Sequence, residues 1–395
     1  MLPATYNEWR DSFETLYFEI GREHEKVNLK PEQCWWFPWK ILRPFFQSKG
    51  YRLYDYDPQN TPARCPVIRS PPASNSFGLY GDHSQVLSQR EHVPPSLNRD
   101  VVIKLVDKHS PDHPEVSVEL QILRFLNSSP MRSDPRNATV PVLEFLEFHG
   151  WIFVVMPAHE GCDEYYFLTS RECLDFACQI LEALSFLHEH GVAHLDISHE
   201  NIMMNYRGDI PKKRLWDETT KSFVTVSPPP EFRSTFPIKY TLIDFGNSAY
   251  FLPGIPRKRR RIAPSGIGRE HRAPEVDERF KYDPFAADVY QTATFFYSYF
   301  GRIIYPEVPG LLELLQDMTS IHAPDRIPIS IAARRMRTLF ENLPPNETLP
   351  RHAIVVENYY QVPRSKIRYH WEYVKYFLTK KWNTLLARIP FFFYS

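Results

Sequence analysis

The run Val101-Val102-Ile103-Lys104-Leu105-Val106 sets a single ammonium group among five aliphatic side chains. Such a run suits a buried strand, and a buried cation is tolerated only beside a compensating carboxylate. The fold must therefore carry an acid to Lys104 from elsewhere. Glu119 is the candidate: it opens Glu119-Leu120-Gln121-Ile122-Leu123, where Val118, Ile122 and Phe125 mark one helical stripe and let the carboxylate reach back toward the strand. Further on, residues 194–201 read His-Leu-Asp-Ile-Ser-His-Glu-Asn, and a short apolar strand runs into Asp244-Phe245-Gly246, 48 positions past Asp196. Asp196, Asn201 and Asp244 are oxygen-bearing side chains placed in two short motifs. Ala273-Pro274-Glu275, Asp288-Val289-Tyr290 and Asp325-Arg326 follow in that order.

In this chain order the landmarks resemble the protein kinase family, across roughly residues 70 to 340. The resemblance implies an α+β, bilobal protein-kinase-like fold, with a small, mostly antiparallel β lobe carrying one helix (the family's αC) and a larger, mainly helical lobe. It also implies roles. Lys104, paired with Glu119, would hold the α- and β-phosphates of ATP; Asp196 would align the substrate hydroxyl and act late as base; Asn201 and Asp244 would bind Mg2+. His194 would support Phe245, and Arg326 would pair with Glu275. Met156-Pro157-Ala158 stands where the family pairs adenine through main-chain groups, which assigns Met156 and Ala158 to nucleotide binding. Ser76-Phe77-Gly78-Leu79-Tyr80-Gly81 reads either as the phosphate-covering loop, with Gly78 and Gly81 in close approach to phosphate, or as an ordinary turn. The flanking text is similar to that of the expanded, divergent kinase-like families of mushroom-forming fungi.

Three departures bear on activity. Leu195 replaces the arginine that anchors a phosphorylated activation loop in regulated members. Ser198 replaces a lysine that touches the γ-phosphate, a loss worth about 2 to 4 kcal/mol of barrier. The glycine loop has two glycines of three. None removes a metal ligand or the base, so the expectation is a divergent serine/threonine protein kinase of reduced activity, with an inactive pseudokinase scaffold as the alternative. Glu200 stands where tyrosine-specific members place arginine. A small-molecule kinase would keep the same oxygens, but Ala273-Pro274-Glu275 and Arg326 belong to a peptide-binding activation segment.

Charge adds little: 47 basic and 47 acidic residues leave no net field toward nucleic acid or an anionic membrane, so the partners expected are ATP and an unidentified protein substrate. The cysteines, Cys34, Cys65, Cys162, Cys173 and Cys178, form no CxxC pair and read as reduced thiols. With no apolar leader and no run long enough to span a bilayer, the expectation is a cytoplasmic or nuclear protein.

The expected organisation is an N-terminal helical extension (1–60), a small lobe (61–157), a large lobe (158–345) and a C-terminal extension (346–395). Within the first, Trp35, Trp36, Trp39, Leu42, Phe45 and Phe46 recur at helical spacing and read as a stripe packed on a lobe of the same chain, or as a docking surface. Between Asn205 and Lys239 an insertion, about 206–238, reads as an exposed, mobile excursion. Arg257-Lys258-Arg259-Arg260-Arg261 reads as an extended, solvated loop, a nuclear-import signal or a clamp for an acidic substrate.

Overall fold

Two antiparallel pairings fix where Lys104 points. In the computed structural model strand β3 (Asp100–Lys108) pairs with β2 (Gln85–Arg90) on one side and β5 (Trp151–Pro157) on the other, with Lys104 opposite Gln85 and Val154. The model describes residues 36–53, 85–90, 100–108, 115–162, 167, 169–205, 213–217, 222–226, 233, 237–264, 272–277 and 280–344. Gly78, Gly81 and the tail beyond 344 lie outside them. With β1 (Tyr51–Leu53) and β4 (Glu144–Phe148) the sheet has the order β1-β2-β3-β5-β4.

Side chains alternate across a strand. Val101 and Ile103, with Trp151, Phe153 and Val155, face a cluster that also holds Leu42, Phe45 and Phe46. Val102 and Val106, with Ile152, Val154 and Met156, face a second cluster with Leu120, Ile122, Leu123 and Leu126. Lys104 shares that second face. The sheet is thus covered on one side by helix α1 (Trp36–Ser48) and on the other by α2 (Val118–Leu126). The later part of the aromatic stripe, Leu42, Phe45 and Phe46, packs on its own chain, with Phe46 fully buried and edge-on to Phe153 at 5.2 Å; Trp35 lies outside the described residues. Residues 36–53 are therefore an integral layer of the small lobe.

The stripe expected on α2 is displaced. Val118 is the first helical residue after the cap Ser117 and remains 44 % exposed, and Phe125 is only half-buried, stacking on Tyr250; the buried face is Leu120, Ile122, Leu123 and Leu126. Glu119 still reaches the strand, because its position on the first turn sets it beside Lys104 rather than among the apolar residues. His149 and Gly150, both at positive φ, close the β4–β5 hairpin.

Helix α3 (Ser170–Glu189) runs through the large lobe between β11 (Tyr240–Leu242) and helix α6 (Ile329–Asn342), with α4 (Pro284–Phe296) and α5 (Leu311–Met318) completing the core. Thr169 caps α3, its hydroxyl accepting from Glu172 N at 3.0 Å. Thr169→Ala is expected to cost about 1 kcal/mol, read as a melting-temperature drop of a few degrees in calorimetry. Gly191 ends the helix at φ 78, and a side chain there would drive its Cβ to 2.3 Å from Phe251 O. Among the described residues no helix is long and apolar enough to cross a membrane.

The excursion after Asn205 carries structure that its composition concealed. Strands β9 (Lys213–Asp217) and β10 (Ser222–Val226) form a hairpin. Arg233, on the return limb, is 2 % exposed: it donates to Tyr240 Oη at 2.6 Å and to Cys162 O, and its guanidinium lies 3.9 Å over the Phe167 ring. The insertion is pinned into the large lobe there rather than wholly exposed.

Candidate functional site

Two short ladders bring distant oxygens together. Strand β8 (Ile202–Met204) pairs with β11, Ile202 opposite Leu242, so the residues just outside that register also meet: Ile243 N donates to Asn201 O at 3.1 Å. Strand β7 (Val192–Ala193) pairs with β12 (Ala249–Tyr250) on the far side. The loop 194–201 and the turn 243–248 are each bracketed by these pairings, and Asp196, Asn201 and Asp244 converge between them. Asn201 Nδ2 donates to Asp196 O and Oδ2, both at 2.9 Å, which leaves the amide oxygen as its acceptor face. Asn247, the residue after Asp244-Phe245-Gly246, donates to Asp196 Oδ2 at 3.2 Å. Sequence reading missed Asn247, although a short amide directly after that motif was the available signal.

Helix α4 holds the loop from below. Its N-cap is Asp283, and it begins at Pro284, four residues before Asp288. Asp288 is fully buried and accepts from His194 N (2.7 Å), Leu195 N (2.6 Å) and His188 Nε2 (2.9 Å), while Gln291 Oε1 accepts from Ile197 N (3.0 Å). Residues three apart share a helix face, so one face grips the backbone on both sides of Asp196. Gln291 was also missed; its signal is a polar residue three past Asp288 in an apolar helix. Leu195 and Asp244 both adopt left-handed backbone, φ 63 and 64. Non-glycine residues persist there only when their surroundings over-determine them, as Asp288 does for Leu195. The His194 ring is 5.1 Å from Phe245, and its Nε2 lies 3.0 Å from Ile243 O.

Above the loop, Lys104 Nζ is 2.6 Å from Glu119 Oε1 and 2.9 Å from Asp244 Oδ1. Burial alone would lower the lysine's pKa, but the two carboxylates outweigh it and raise it, so the group stays charged. Burial would likewise raise Asp244, yet Lys104 and the Gly246 N–H hold it below the usual carboxylate range. Glu119 goes the other way: burial, with Asp244 nearby, lifts it despite Lys104. Asp244 Oδ1 takes both Lys104 and Gly246 N, whereas Oδ2 has no partner among the described residues.

That arrangement fits a divalent cation and nucleotide phosphates. Asp244 offers one ionised oxygen and Asn201 one amide oxygen; among the described residues no group of three His, Cys, Asp or Glu gathers as a self-contained metal site. Two donors suit magnesium, which completes its shell with water and phosphate. Met156 and Ala158, both buried, flank Pro157 at the end of β5, where the small lobe passes into the large one.

The basic run is not extended. Arg257–Arg259 form a 3-10 turn, Arg261 reaches Asp283 at 3.3 Å, and Ile262 exchanges both backbone bonds with Tyr282 (3.2 and 3.0 Å). Leu195 and Ile262 both pack against the apolar clusters that hold this segment. Arg326 donates to Glu275 through both terminal nitrogens, at 2.6 and 2.8 Å.

A family model described as "Protein kinase domain" matches residues 81–344, well over half of the chain. Among curated proteins the chain is similar to the serine/threonine-protein kinase dkf-2 of Caenorhabditis briggsae, 32% identical over 127 residues, covering 30% of this chain and 10% of that one. It is also similar to the dual specificity protein kinase CLK4 of Mus musculus, 26% identical over 163 residues (38% and 30%), and to the serine/threonine-protein kinase chk1 of Schizosaccharomyces pombe, 27% identical over 139 residues (33% and 25%). The chain spans less than a third of each relative's length.

Proposed function

This chain belongs to the protein kinase family, and from that premise we propose that it transfers the γ-phosphate of ATP to a serine or threonine hydroxyl of a protein. The observation that carries the reading is the convergence of Lys104, Glu119 and Asp244 above the Asp196–Asn201 pair. Burying three charges in one place costs folding stability unless hydrogen bonds and opposite charge offset it. A scaffold with no nucleotide to bind gains nothing from that arrangement, whereas a catalyst needs each group where it stands.

In this reading Asp196 receives a hydrogen bond from the substrate hydroxyl and takes its proton late in the transfer, while Asn201 and Asn247 fix the carboxylate's rotamer. Lys104, kept protonated by its two acids, binds the α- and β-phosphates, and Glu119 orients it. Asn201 and Asp244 would hold magnesium, which when bound neutralises charge on the phosphate oxygens. Gly78 and Gly81 would cover those phosphates, and main-chain groups at Met156 and Ala158 would meet the adenine. The pseudokinase alternative rests on the departures at Leu195, Ser198 and the glycine loop, Ser198 standing where a lysine would otherwise reach the γ-phosphate.

Nucleotide binding tests the cleft apart from any substrate. With ATP at about 100 times its dissociation constant and magnesium present, the folded state gains about 2.7 kcal/mol, visible as a rise in melting temperature. The rise should shrink when magnesium is chelated and vanish in Lys104→Ala. An equal shift in that variant would remove Lys104 from the nucleotide site.

A further inference from the structure

Five consecutive cations in an activation segment would be expected to repel one another into an open loop. Here two of them secure the segment. Arg260 Nε donates to Ile255 O at 3.0 Å with its guanidinium 5.7 Å from the Phe285 ring, and Arg261 pairs with Asp283. The other three, Arg257, Lys258 and Arg259, form one exposed turn after Pro256 and have no carboxylate partner among the described residues. Holding three like charges on one turn costs repulsion, and no packing in the large lobe needs those side chains. Nor is an anion on the chain itself required to order the segment, because the Ile262–Tyr282 backbone pair already anchors it.

The location gives the turn its meaning. Ile262, three residues past Arg259, packs in the same apolar cluster as Leu195, and Leu195 directly precedes Asp196. The three cations are thus held a short way from the catalytic loop, preorganised on the segment that borders it. We propose that this turn recognises a short acidic run beside the hydroxyl of the polypeptide substrate; the proposal rests on the phosphotransferase reading above. The chain's zero net charge favours this partner over a long polyanion such as nucleic acid, which a field spread across the surface would be needed to attract.

The test uses the full chain and three peptides in which the residues around one serine are glutamates, alanines or lysines. With magnesium and ATP, kcat/KM for the glutamate peptide should exceed that for the alanine peptide by about tenfold, the product of three exposed ion pairs. The triple variant Arg257→Ala, Lys258→Ala, Arg259→Ala should bring that ratio close to one, chiefly through KM. The reversed variant Arg257→Glu, Lys258→Glu, Arg259→Glu should favour the lysine peptide. An acidic preference that survives either variant, or no preference in the wild type, overturns the proposal. Fluorescence anisotropy with labelled glutamate peptide reads the turn without catalysis: binding should weaken in the triple variant and at about 0.5 M salt. Binding without turnover of any peptide counts against the phosphotransferase reading while upholding the turn. A single-stranded oligonucleotide of equal length that binds more tightly than the glutamate peptide overturns the choice of partner.

Discussion

Replacing Asp196 with asparagine is expected to lower phosphate transfer by about two to four powers of ten while leaving magnesium-dependent nucleotide binding and melting temperature nearly unchanged. The substitution is isosteric, and the carboxamide oxygen can still accept from Asn201 Nδ2, now 2.9 Å from Asp196 Oδ2, so the loop keeps its shape. What disappears is the charge that aligns the hydroxyl and receives its proton. The backbone around the residue does not depend on that charge: His194, Leu195 and Ile197 are held through their N–H groups by Asp288 and Gln291. Single-turnover transfer to a serine peptide, measured beside thermal shift with ATP, separates the two effects. A variant rate within a few fold of wild type would exclude Asp196 as the base.

How much of this was legible in the sequence depends on whether a residue's partner is chosen locally. Lys104 announced a buried charge because its neighbours are all aliphatic, and an acid on the following helix was the nearest answer; the 2.6 Å contact with Glu119 is that answer in space. The hairpin at His149-Gly150 is likewise a local matter, because positive φ at two adjacent positions leaves few residue choices. The polar grips on the loop were harder. Gln291 and Asn247 act through tertiary contacts that no local rule favours, and each would pass for an ordinary surface or helix residue.

The misreadings share a cause. Val118 looked like core because it is apolar and in phase, but at that end of the helix Ser117 and Glu119 make the contacts with the strand and Val118 stays exposed. The insertion looked exposed because it is rich in proline and charge, but Phe167 and Cys162, both remote in sequence, and the nearer Tyr240 make a home for Arg233. The basic run looked extended because repulsion between neighbours is a local argument, and Asp283 and Phe285 overrule it from across the segment. Local propensity was outweighed in each case by a contact that the fold alone creates.

Removing the Arg326 guanidinium should produce the largest loss of stability of any single change considered. Arg326 is 6 % exposed; besides both Glu275 oxygens it donates to Ala286 O (2.9 Å) and Ser320 O (2.8 Å) and lies 4.8 Å from the Tyr290 ring. Breaking a buried ion pair from one side costs about 3 to 5 kcal/mol, because the remaining charge is stranded where water cannot reach it. Arg326→Met is therefore expected to lower the melting temperature by on the order of 10 °C. Since most of that penalty belongs to the orphaned carboxylate, adding Glu275→Gln should restore part of the loss, and the two changes together should cost less than the sum of each alone. Additive losses would mean that the guanidinium acts through its backbone contacts instead. The same variants connect stability to chemistry: Glu275 directly follows Ala273-Pro274, and Ala273 shares its apolar cluster with Leu195 and Ile262. Loosening Arg326 should thus slow peptide phosphorylation by freeing the segment, while nucleotide binding in the cleft, built from Lys104, Glu119 and Asp244, stays near its wild-type strength at temperatures well below melting.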